Sequence, residues 1–251
     1  MCPNRIVSLC PSITETLYAL GAGPQVVGRT KFCVHPKTAI DQITVVGGTK
    51  RPKIDVIEAL HPDLVLLNEE ENRIEDAQEL KTRGFRVVSY FPKTLRETAD
   101  YIESLGWLTG HDEEGKVLAE ALRKTVASEC YSGATIRFVY FIWRNPWMAV
   151  SGDTFISRVL ETAGFENAIS GDERYPTVEP TSLSALKADV VFLSSEPFPF
   201  TEVHRDELAD LSNIAAQDVH CVDGELLSWH GVRTVAGVKY ARQLRGSVGR
   251  V

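Results

Sequence analysis

Apolar and polar positions follow the same order twice along this chain. Residues 54–70 (IDVIEALHPDLVLLNEE) and residues 180–196 (PTSLSALKADVVFLSSE) align without a gap. In each copy an amphipathic stretch leads to an aspartate, Asp63 or Asp189, and then to an apolar run that stops at polar residues. This pattern is typical of a short helix, a turn and a buried parallel strand. The repeat predicts two α/β lobes with a ligand-binding cleft between them.

Beyond the repeat, short apolar runs alternate with helical patterns of period 3.6. Strands are predicted at residues 5–10, 26–28, 64–68, 85–90, 137–142, 189–194 and 219–223. Helices are predicted at residues 12–20, 54–60, 73–83, 94–129 in two parts, 154–163, 181–187, 203–211 and 232–244. The alternation predicts an α/β fold of two Rossmann-like lobes, each with a mainly parallel sheet covered by helices.

The longest helical pattern suggests how the lobes are joined. Its second part begins near Asp112, and no strand lies between that part and Tyr131. We therefore expect an N-terminal lobe at residues 1–93, a helical connector with one long helix at 94–132, and a C-terminal lobe at 133–251. The absence of a Gly/Ser-rich linker favours a stiff hinge.

Composition narrows the function classes. The net charge of −7 argues against nucleic acid as a partner, which needs a basic face. No run of about 18 apolar residues suggests a membrane span. The cysteines, five in number, form no CxxC pair. Free thiols in a reducing compartment are therefore expected, with Cys10 and Cys221 buried in apolar runs. No charged region followed by an apolar stretch precedes Arg5, so we expect a cytoplasmic location for the chain as written, and a periplasmic one if a leader has been removed.

Two helix starts follow strands directly. Ser12 and Glu15 fit the capping-box pattern, which predicts a helix beginning at Ser12, and Thr154 opens a helix in the second half. The free N–H groups of these first turns are suited to an anionic or carbonyl group of a ligand. Ordinary capping is the alternative interpretation.

Aromatic residues gather where strands end, which is where parallel α/β sheets bind ligands. Trp143, Trp147 and Trp229 fall in predicted loops of the second half. They either pack on their own lobe or stack on a bulky, flat ligand, and the threefold clustering favours stacking. In the first half Phe32 and Phe91 lie in comparable loops, and we expect them to face the tryptophans.

Polar candidates lie among these aromatics. Arg144 and Arg174 can fork onto a carboxylate, an amide oxygen or a phosphate, or they are simply exposed or paired, Arg144 with Glu196. Metal ligation by His35 and His230 is weakly supported, because no motif such as HExxH occurs. A general-acid carboxylate pair could be formed by Glu69 or Glu70 with Glu196. The GxSxG motif of serine hydrolases does not occur. No catalytic residue is assigned. The candidate ligand-binding residues are Ser12, Phe32, Asn68, Phe91, Trp143, Arg144, Trp147, Arg174, Tyr175, Glu196, Trp229 and His230.

Several segments resemble one family along nearly the whole chain. They include RIVSLCPSITETLYALGA (5–22), EALHPDLVLL (58–67), GFRVVSY (84–90) and SGDTFISRVLETAGFENAI (151–169). These segments are similar to the helical-backbone (type III) binding proteins of ABC importers, receptors for vitamin B12 and ferric siderophores. The resemblance implies a non-enzymatic binding protein without an intrinsic cofactor, monomeric, which holds a large metal chelate in the interlobe cleft. It favours cobalamin or another corrinoid first. The alternatives are a ferric siderophore or haem receptor, or an enzyme acting on such a chelate.

The resemblance also assigns positions and shows departures. Phe32 and Trp229 fall at aromatic ligand-binding positions of the two lobes, whereas Asn68 and Thr177 stand where the B12 receptors have Trp. In this family, docking to the permease resembles a two-point clamp with one surface Glu per lobe. Glu75 is near the first position, and the short loop 229–233 has no Glu for the second. We therefore expect weak or absent permease docking.

Overall fold

The computed structural model describes residues 2–212 and 214–248, which form two compact units. Unit 1 consists of the chain up to Pro92, Arg96–Arg123 and His230–Arg233. Unit 2 consists of Lys93–Leu95, Lys124–Trp229 and the chain from Thr234 onwards. The short segment His230–Arg233 thus belongs to unit 1, although the residues on both sides of it belong to unit 2.

Unit 1 is built on a parallel sheet. Its described strands are β1 (Ile6–Ser8), β2 (Val26–Arg29), β3 (Thr44–Val45), β4 (Gly47–Gly48), β5 (Arg51–Pro52), β6 (Leu64–Asn68) and β7 (Val87–Tyr90). The sheet order is β3-β2-β1-β6-β7 and every neighbouring pair is parallel, while β4 and β5 form a separate antiparallel hairpin. All residues of β1 and β6 are buried, as expected for central strands covered on both faces.

Unit 2 repeats this arrangement. Its described strands are β8 (Ile136–Trp143), β9 (Met148–Ala149), β10 (Phe165–Asn167), β11 (Val190–Ser194) and β12 (Val219–Val222). The parallel order β10-β8-β11-β12 matches the order β2-β1-β6-β7 of unit 1, and β9 pairs antiparallel with β8. The predicted α/β fold with mainly parallel sheets is confirmed.

Helices follow the strands in both units. In chain order they are α1 (Pro11–Ala19), α2 (Lys37–Ile40), α3 (Ile54–Ala59), α4 (Ile74–Thr82), α5 (Leu95–Thr109), α6 (Asp112–Glu129), α7 (Phe155–Thr162), α8 (Leu183–Leu186), α9 (Glu202–Ser212), α10 (Gly224–Ser228) and α11 (Thr234–Val248). Helix α6 has residues in both units: those up to Arg123 belong to unit 1 and those from Lys124 to unit 2. Across the described residues, no helix combines the length and apolar character that crossing a membrane requires.

The repeat is also visible in hydrogen bonds. Asp63 Oδ2 accepts from the backbone N–H of Arg5 at 3.0 Å, and Asp189 Oδ2 accepts from that of Arg137 at 2.7 Å. The side chain of each arginine donates to a carbonyl at the end of the repeat helix that precedes the aspartate. Arg5 donates to Leu60 in this way, and Arg137 donates to Leu186. The predicted equivalence of the two aspartates is confirmed: each ties the start of its unit's first strand to the start of the Asp-led strand.

The core reflects the two-residue period of the strands. In β8, Phe138 and Tyr140 belong to one buried cluster of unit 2, and Val139 and Phe141 belong to another. Successive side chains of a strand point to opposite faces, so the sheet has an apolar layer on each side. Both layers hold the sheet edge, where the candidate site residues lie, in a fixed position.

Several elements differ from the sequence expectation. Residues 224–228 were expected in a loop but form α10, which begins where Asp223 Oδ1 accepts the N–H of Leu226 at 3.0 Å. The short strands β9 and β10, the hairpin β4–β5 and helix α2 were not predicted. Elements of two to five residues are too short to produce a hydrophobic period.

Candidate functional site

Helix α1 of unit 1 starts one residue before the expected position. Pro11 occupies its first position, which suits a residue with fixed φ and no N–H, and Cys10 is the N-cap without a side-chain cap bond. The capping-box prediction for Ser12 is therefore wrong. The buried Ser12 Oγ instead lies 3.2 Å from His230 Nε2 and 3.3 Å from Cys10 Sγ.

His230 is a buried histidine of unit 1. Its Nε2 also lies 3.4 Å from Asn68 Nδ2, and its ring packs edge-on against Tyr101 at 5.6 Å between centroids. Burial lowers the pKa of His230 to about 4, because desolvation penalises the charged imidazolium. Ser12, Asn68 and His230, three of the predicted site residues, thus meet in one neutral polar cluster.

The rest of the segment His230–Arg233 is held equally firmly against α1. Gly231 has φ +95°, and a Cβ there would lie 2.2 Å from Thr16 Oγ1, so only glycine fits. The N–H of Val232 donates to the same hydroxyl at 3.3 Å. Arg233 forms a two-pronged ion pair with Glu15, with both N–O distances at 2.7 Å. The segment expected to be a surface loop of the second lobe is therefore an integral part of unit 1.

Asn68, at the carboxyl end of β6, organises the following turn. Its Oδ1 accepts from the backbone N–H groups of Glu70 and Glu71 at 2.9 and 3.0 Å. Its own N–H donates to Asn72 Oδ1 at 2.8 Å. The side chain is buried and hydrogen-bonded within the protein, so its main visible role is to shape the edge of the sheet.

The aromatic candidates of unit 1 are more accessible. Phe32 lies in the loop after β2 with 49% of its surface exposed. Lys31 Nζ lies 4.9 Å from the centre of its ring, and Gly48 of the β4–β5 hairpin packs beside the ring edge. Phe91 directly follows β7 and is half-buried. Phe32 is the candidate best suited to stack on a ligand face.

The tryptophans of unit 2 divide into different environments. Trp143 is the last residue of β8, is 41% exposed, and meets Phe198 edge-on at 5.8 Å. Trp147 is almost buried, because it stacks on Phe200 at 5.6 Å and meets Phe141 edge-on at 5.1 Å. Trp147 thus packs inside unit 2, whereas the ring of Trp143 is partly open to solvent.

The partners of these tryptophans were not among the candidate ligand-binding residues. Phe198 and Phe200 pack against each other at 4.7 Å, and both contact the ring of His204 in α9. The signal in the sequence is the alternating Pro-Phe-Pro-Phe of residues 197–200, and in the structure the N–H of Phe200 donates to the carbonyl of Phe198 at 2.9 Å, a tight turn that places the two rings side by side. Together with Trp143 and Trp147 they form one aromatic cluster at the ends of β8 and β11.

The arginine candidates have acidic partners. Arg144 Nη2 donates to Glu207 of α9, a residue 63 positions away, and not to Glu196. Arg174 lies 3.4 Å from Asp153, and its guanidinium lies over the ring of the adjacent Tyr175 at 5.8 Å. Each guanidinium is therefore already paired.

Glu196 and Trp229 are brought together in unit 2. Trp229 Nε1 donates to Glu196 Oε1 at 2.6 Å, and the hydroxyl of Ser228 donates to the same oxygen at 3.1 Å. Trp229 is the C-cap residue directly after α10 and is almost buried. The carboxylate thus holds the polar edge of the indole.

The cysteines are all free. Cys10 and Cys33 are buried, and burial raises the pKa of Cys10 to about 12 and that of Cys33 above its usual value. The expectation that Cys221 is buried is wrong: it lies in the edge strand β12 and is exposed, as are Cys2 and Cys130. Within residues 2–212 and 214–248, no three His, Cys, Asp or Glu side chains are grouped to hold a metal ion.

Comparison with known proteins gives consistent results. The chain is 26% identical over 240 residues to the vitamin B12-binding protein of Vibrio cholerae, covering 94% of this chain and 87% of that protein. It is also 26% identical over 247 residues to the uncharacterized ABC transporter substrate-binding lipoprotein YvrC of Bacillus subtilis, covering 94% and 78% of the two chains. The relatives of the chain are thus substrate-binding proteins. One is described as a lipoprotein and another as a periplasmic protein.

Solved structures support the fold. The periplasmic vitamin B12 binding protein BtuF of Vibrio cholerae superimposes with a TM-score of 0.86 at 24% identity, covering 99% of both chains. The periplasmic haem-binding protein RhuT from Roseiflexus sp. RS-1 superimposes with a TM-score of 0.84 at 21% identity, covering 98% and 97%. Residues 6–218 match the sequence profile of one family. The chain therefore belongs to the periplasmic binding protein family.

Proposed function

We propose that this protein is a non-enzymatic binding protein for a large metal chelate, cobalamin or another corrinoid first. The observation that carries the proposal is the set of aromatic rings at the carboxyl ends of parallel strands, in particular the exposed Phe32 and Trp143. Large rings left open to water at such positions fit a ligand with an extended, flat face. The vitamin B12-binding relatives supply the choice of chelate.

The polar groups of the candidate site favour binding over catalysis. Ser12 and His230 are hydrogen-bonded in a buried neutral cluster, and no described serine, histidine and carboxylate form a nucleophile with its base there. The ligand supplies its own metal ion, and no resident cofactor is required. We assign no catalytic residue.

A ferric siderophore or haem is the alternative ligand. Haem carries carboxylates and many ferric siderophores are anionic, so these chelates suit cationic partners, which Lys31, Lys50 and Arg51 of unit 1 can provide. Lys31 lies over the exposed ring of Phe32, and Lys50 lies in the turn of the adjacent β4–β5 hairpin. Arg144 and Arg174 favour this alternative less, because each is already paired with a carboxylate.

Absorption spectroscopy distinguishes these ligands. The protein is incubated separately with cyanocobalamin, haemin and a ferric hydroxamate, then desalted, and the retained colour is quantified. Cyanocobalamin retained at one equivalent supports the first proposal, and retention of only haemin or the ferric chelate supports the alternative. If no chelate is retained, the proposed function is wrong.

A substitution localises the site. Trp229→Ala should weaken binding of the retained chelate about tenfold or more, since one stacked aromatic contributes about 0.5–1.5 kcal/mol beyond its buried area. The melting temperature should fall as well, because Trp229 is almost buried, so the affinities are compared at a temperature at which both variants are folded. Trp107→Ala is the matched control, because Trp107 is 69% exposed on α5, far in sequence from any strand end. Equal affinity of a folded Trp229→Ala variant and the control would argue against the site.

The proposal also concerns the transporter partner and the cellular compartment of the protein. We propose that the monomer has weak or no affinity for an ABC permease. Glu75, the first candidate docking residue, is exposed, but its carboxylate pairs with Arg73 at 3.2 Å. At the second candidate position, the segment His230–Arg233 packs into unit 1 and does not form a docking loop. Five free cysteines fit a reducing compartment, and we therefore propose a cytoplasmic location. The periplasmic relatives define the competing location.

A further inference from the structure

The carboxylate of Glu196 has a more specific role than contact with a ligand. We propose that Glu196 is a positioning residue, which fixes the indole of Trp229 in the orientation that stacks on the chelate. This inference rests on the proposed function. It assigns to Glu196 an indirect contribution to affinity, exerted through one hydrogen bond.

The side-chain geometry supports this role. Glu196 Oε1 accepts from Trp229 Nε1 at 2.6 Å and from Ser228 Oγ at 3.1 Å. A hydrogen bond to an ionised carboxylate is about twice as strong as a neutral one, and this bond has the short length typical of the class. Indole has a single N–H group, located on its edge, so binding that edge sets the direction of both ring faces.

The backbone that carries Glu196 is also fixed. Ser194 Oγ donates to the carbonyl of Glu196 and accepts from its N–H at 3.3 Å. The hydroxyl of Tyr140, a fully buried residue of β8, donates to the same Ser194 Oγ at 3.0 Å. The hydrogen-bonded chain therefore connects the sheet core to the loop that bears the carboxylate.

Helix α10, which carries Trp229, is docked on this loop. The N–H of Gly224 donates to Ser195 Oγ at 2.9 Å. A Cβ at Gly224 would lie 2.4 Å from Ser194 Oγ and 2.8 Å from Glu196 Cγ, so the helix start approaches the loop as closely as a glycine allows. Glu196 thus contacts both ends of α10, and its carboxylate determines where the indole at the far end lies.

A double-mutant cycle in ligand binding tests the inference. Glu196→Ala removes the acceptor, and Trp229→Phe keeps an aromatic ring but removes the N–H. Affinity is measured by titration with the chelate that the wild-type protein retains, cyanocobalamin as the first probe. Glu196→Ala should weaken binding about tenfold in the wild-type background and less than twofold in the Trp229→Phe background. Glu196→Gln, whose amide oxygen still accepts from the indole, should stay within about threefold of wild type.

The possible outcomes separate the two proposals. If the wild-type protein binds none of the chelates, the proposed function fails before the cycle begins. If it binds, but Glu196→Ala weakens binding equally in both backgrounds, Glu196 acts by direct contact or by general stability, and the positioning role is wrong. Trp229 fluorescence gives an independent readout: Glu196→Ala should shift the emission only when Trp229 is present, while the melting temperature of Glu196→Gln stays at the wild-type value.

Discussion

Removing either partner of the ion pair between Glu15 and Arg233 should destabilise unit 1. The side chains are only 22% and 15% exposed, and both N–O distances are 2.7 Å. Removing one partner takes the two-pronged ion pair away from a mostly buried charge, which costs about 3–5 kcal/mol in full burial and about 0–1 kcal/mol at the surface. For this intermediate burial we expect about 2 kcal/mol from either single substitution.

Methionine is the suitable replacement at both positions. It keeps the length of the side chain and has a helix propensity close to that of glutamate, so α1 should remain intact in Glu15→Met. Arg233→Met and Glu15→Met should each lower the free energy of unfolding by about 2 kcal/mol. The double variant should be close to wild type, because two apolar side chains leave no buried charge.

Urea unfolding followed by circular dichroism measures this cycle. The matched control is Lys116–Glu113 on α6, which has the same 2.7 Å distance but side chains that are 63% and 80% exposed. Its coupling energy should be only about 0.3–0.5 kcal/mol. If the coupling between positions 15 and 233 is as small as in the control, burial of the pair does not explain how His230–Arg233 is held.

Two further predictions concern pH and thiol chemistry. The pKa of His230 is about 4 in the folded protein, against 6.5 for the free side chain. Between these two values the unfolded chain binds a proton at this position and the folded chain does not. The free energy of unfolding should therefore be at its full value above about pH 6.5 and fall by about 3 kcal/mol as the pH drops towards 4. His230→Gln should flatten this dependence in urea titrations, and an unchanged slope would show that another group causes it. If the protein is cytoplasmic, a membrane-impermeant maleimide added to whole cells should leave the exposed thiols of Cys2, Cys130 and Cys221 unlabelled. The same reagent should label these thiols after lysis. Labelling in intact cells would place the protein outside the membrane.

Features set by neighbouring residues could be predicted from the sequence. The strands β6 and β11 and the helices α5 and α6 lie within one or two residues of their expected positions. Each is long enough, or apolar enough, to show its period directly. The equivalence of Asp63 and Asp189 was visible because the repeat preserves their distance from the following strand.

Pairings between distant residues could not be predicted. Arg144 was considered as a partner of Glu196, but Glu207 lies one helix further along the chain and takes the guanidinium. Burial of Trp147 depends on Phe200, and the position of His230 depends on Ser12, a residue 218 positions away. Such contacts are fixed by how the elements pack, and no local pattern records them.

Ser12 shows how a correct local pattern leads to an incorrect assignment. Ser-x-x-Glu is a capping signature only if its serine precedes the helix, and Pro11 moves the helix start one residue earlier. With the cap lost, the hydroxyl of Ser12 contacts His230 and the carboxylate of Glu15 accepts from Arg233, and these two residues are three positions apart on the same helix. Side chains at this spacing lie on one helix face. The two residues that suggested a cap therefore serve together as the surface that receives the segment His230–Arg233.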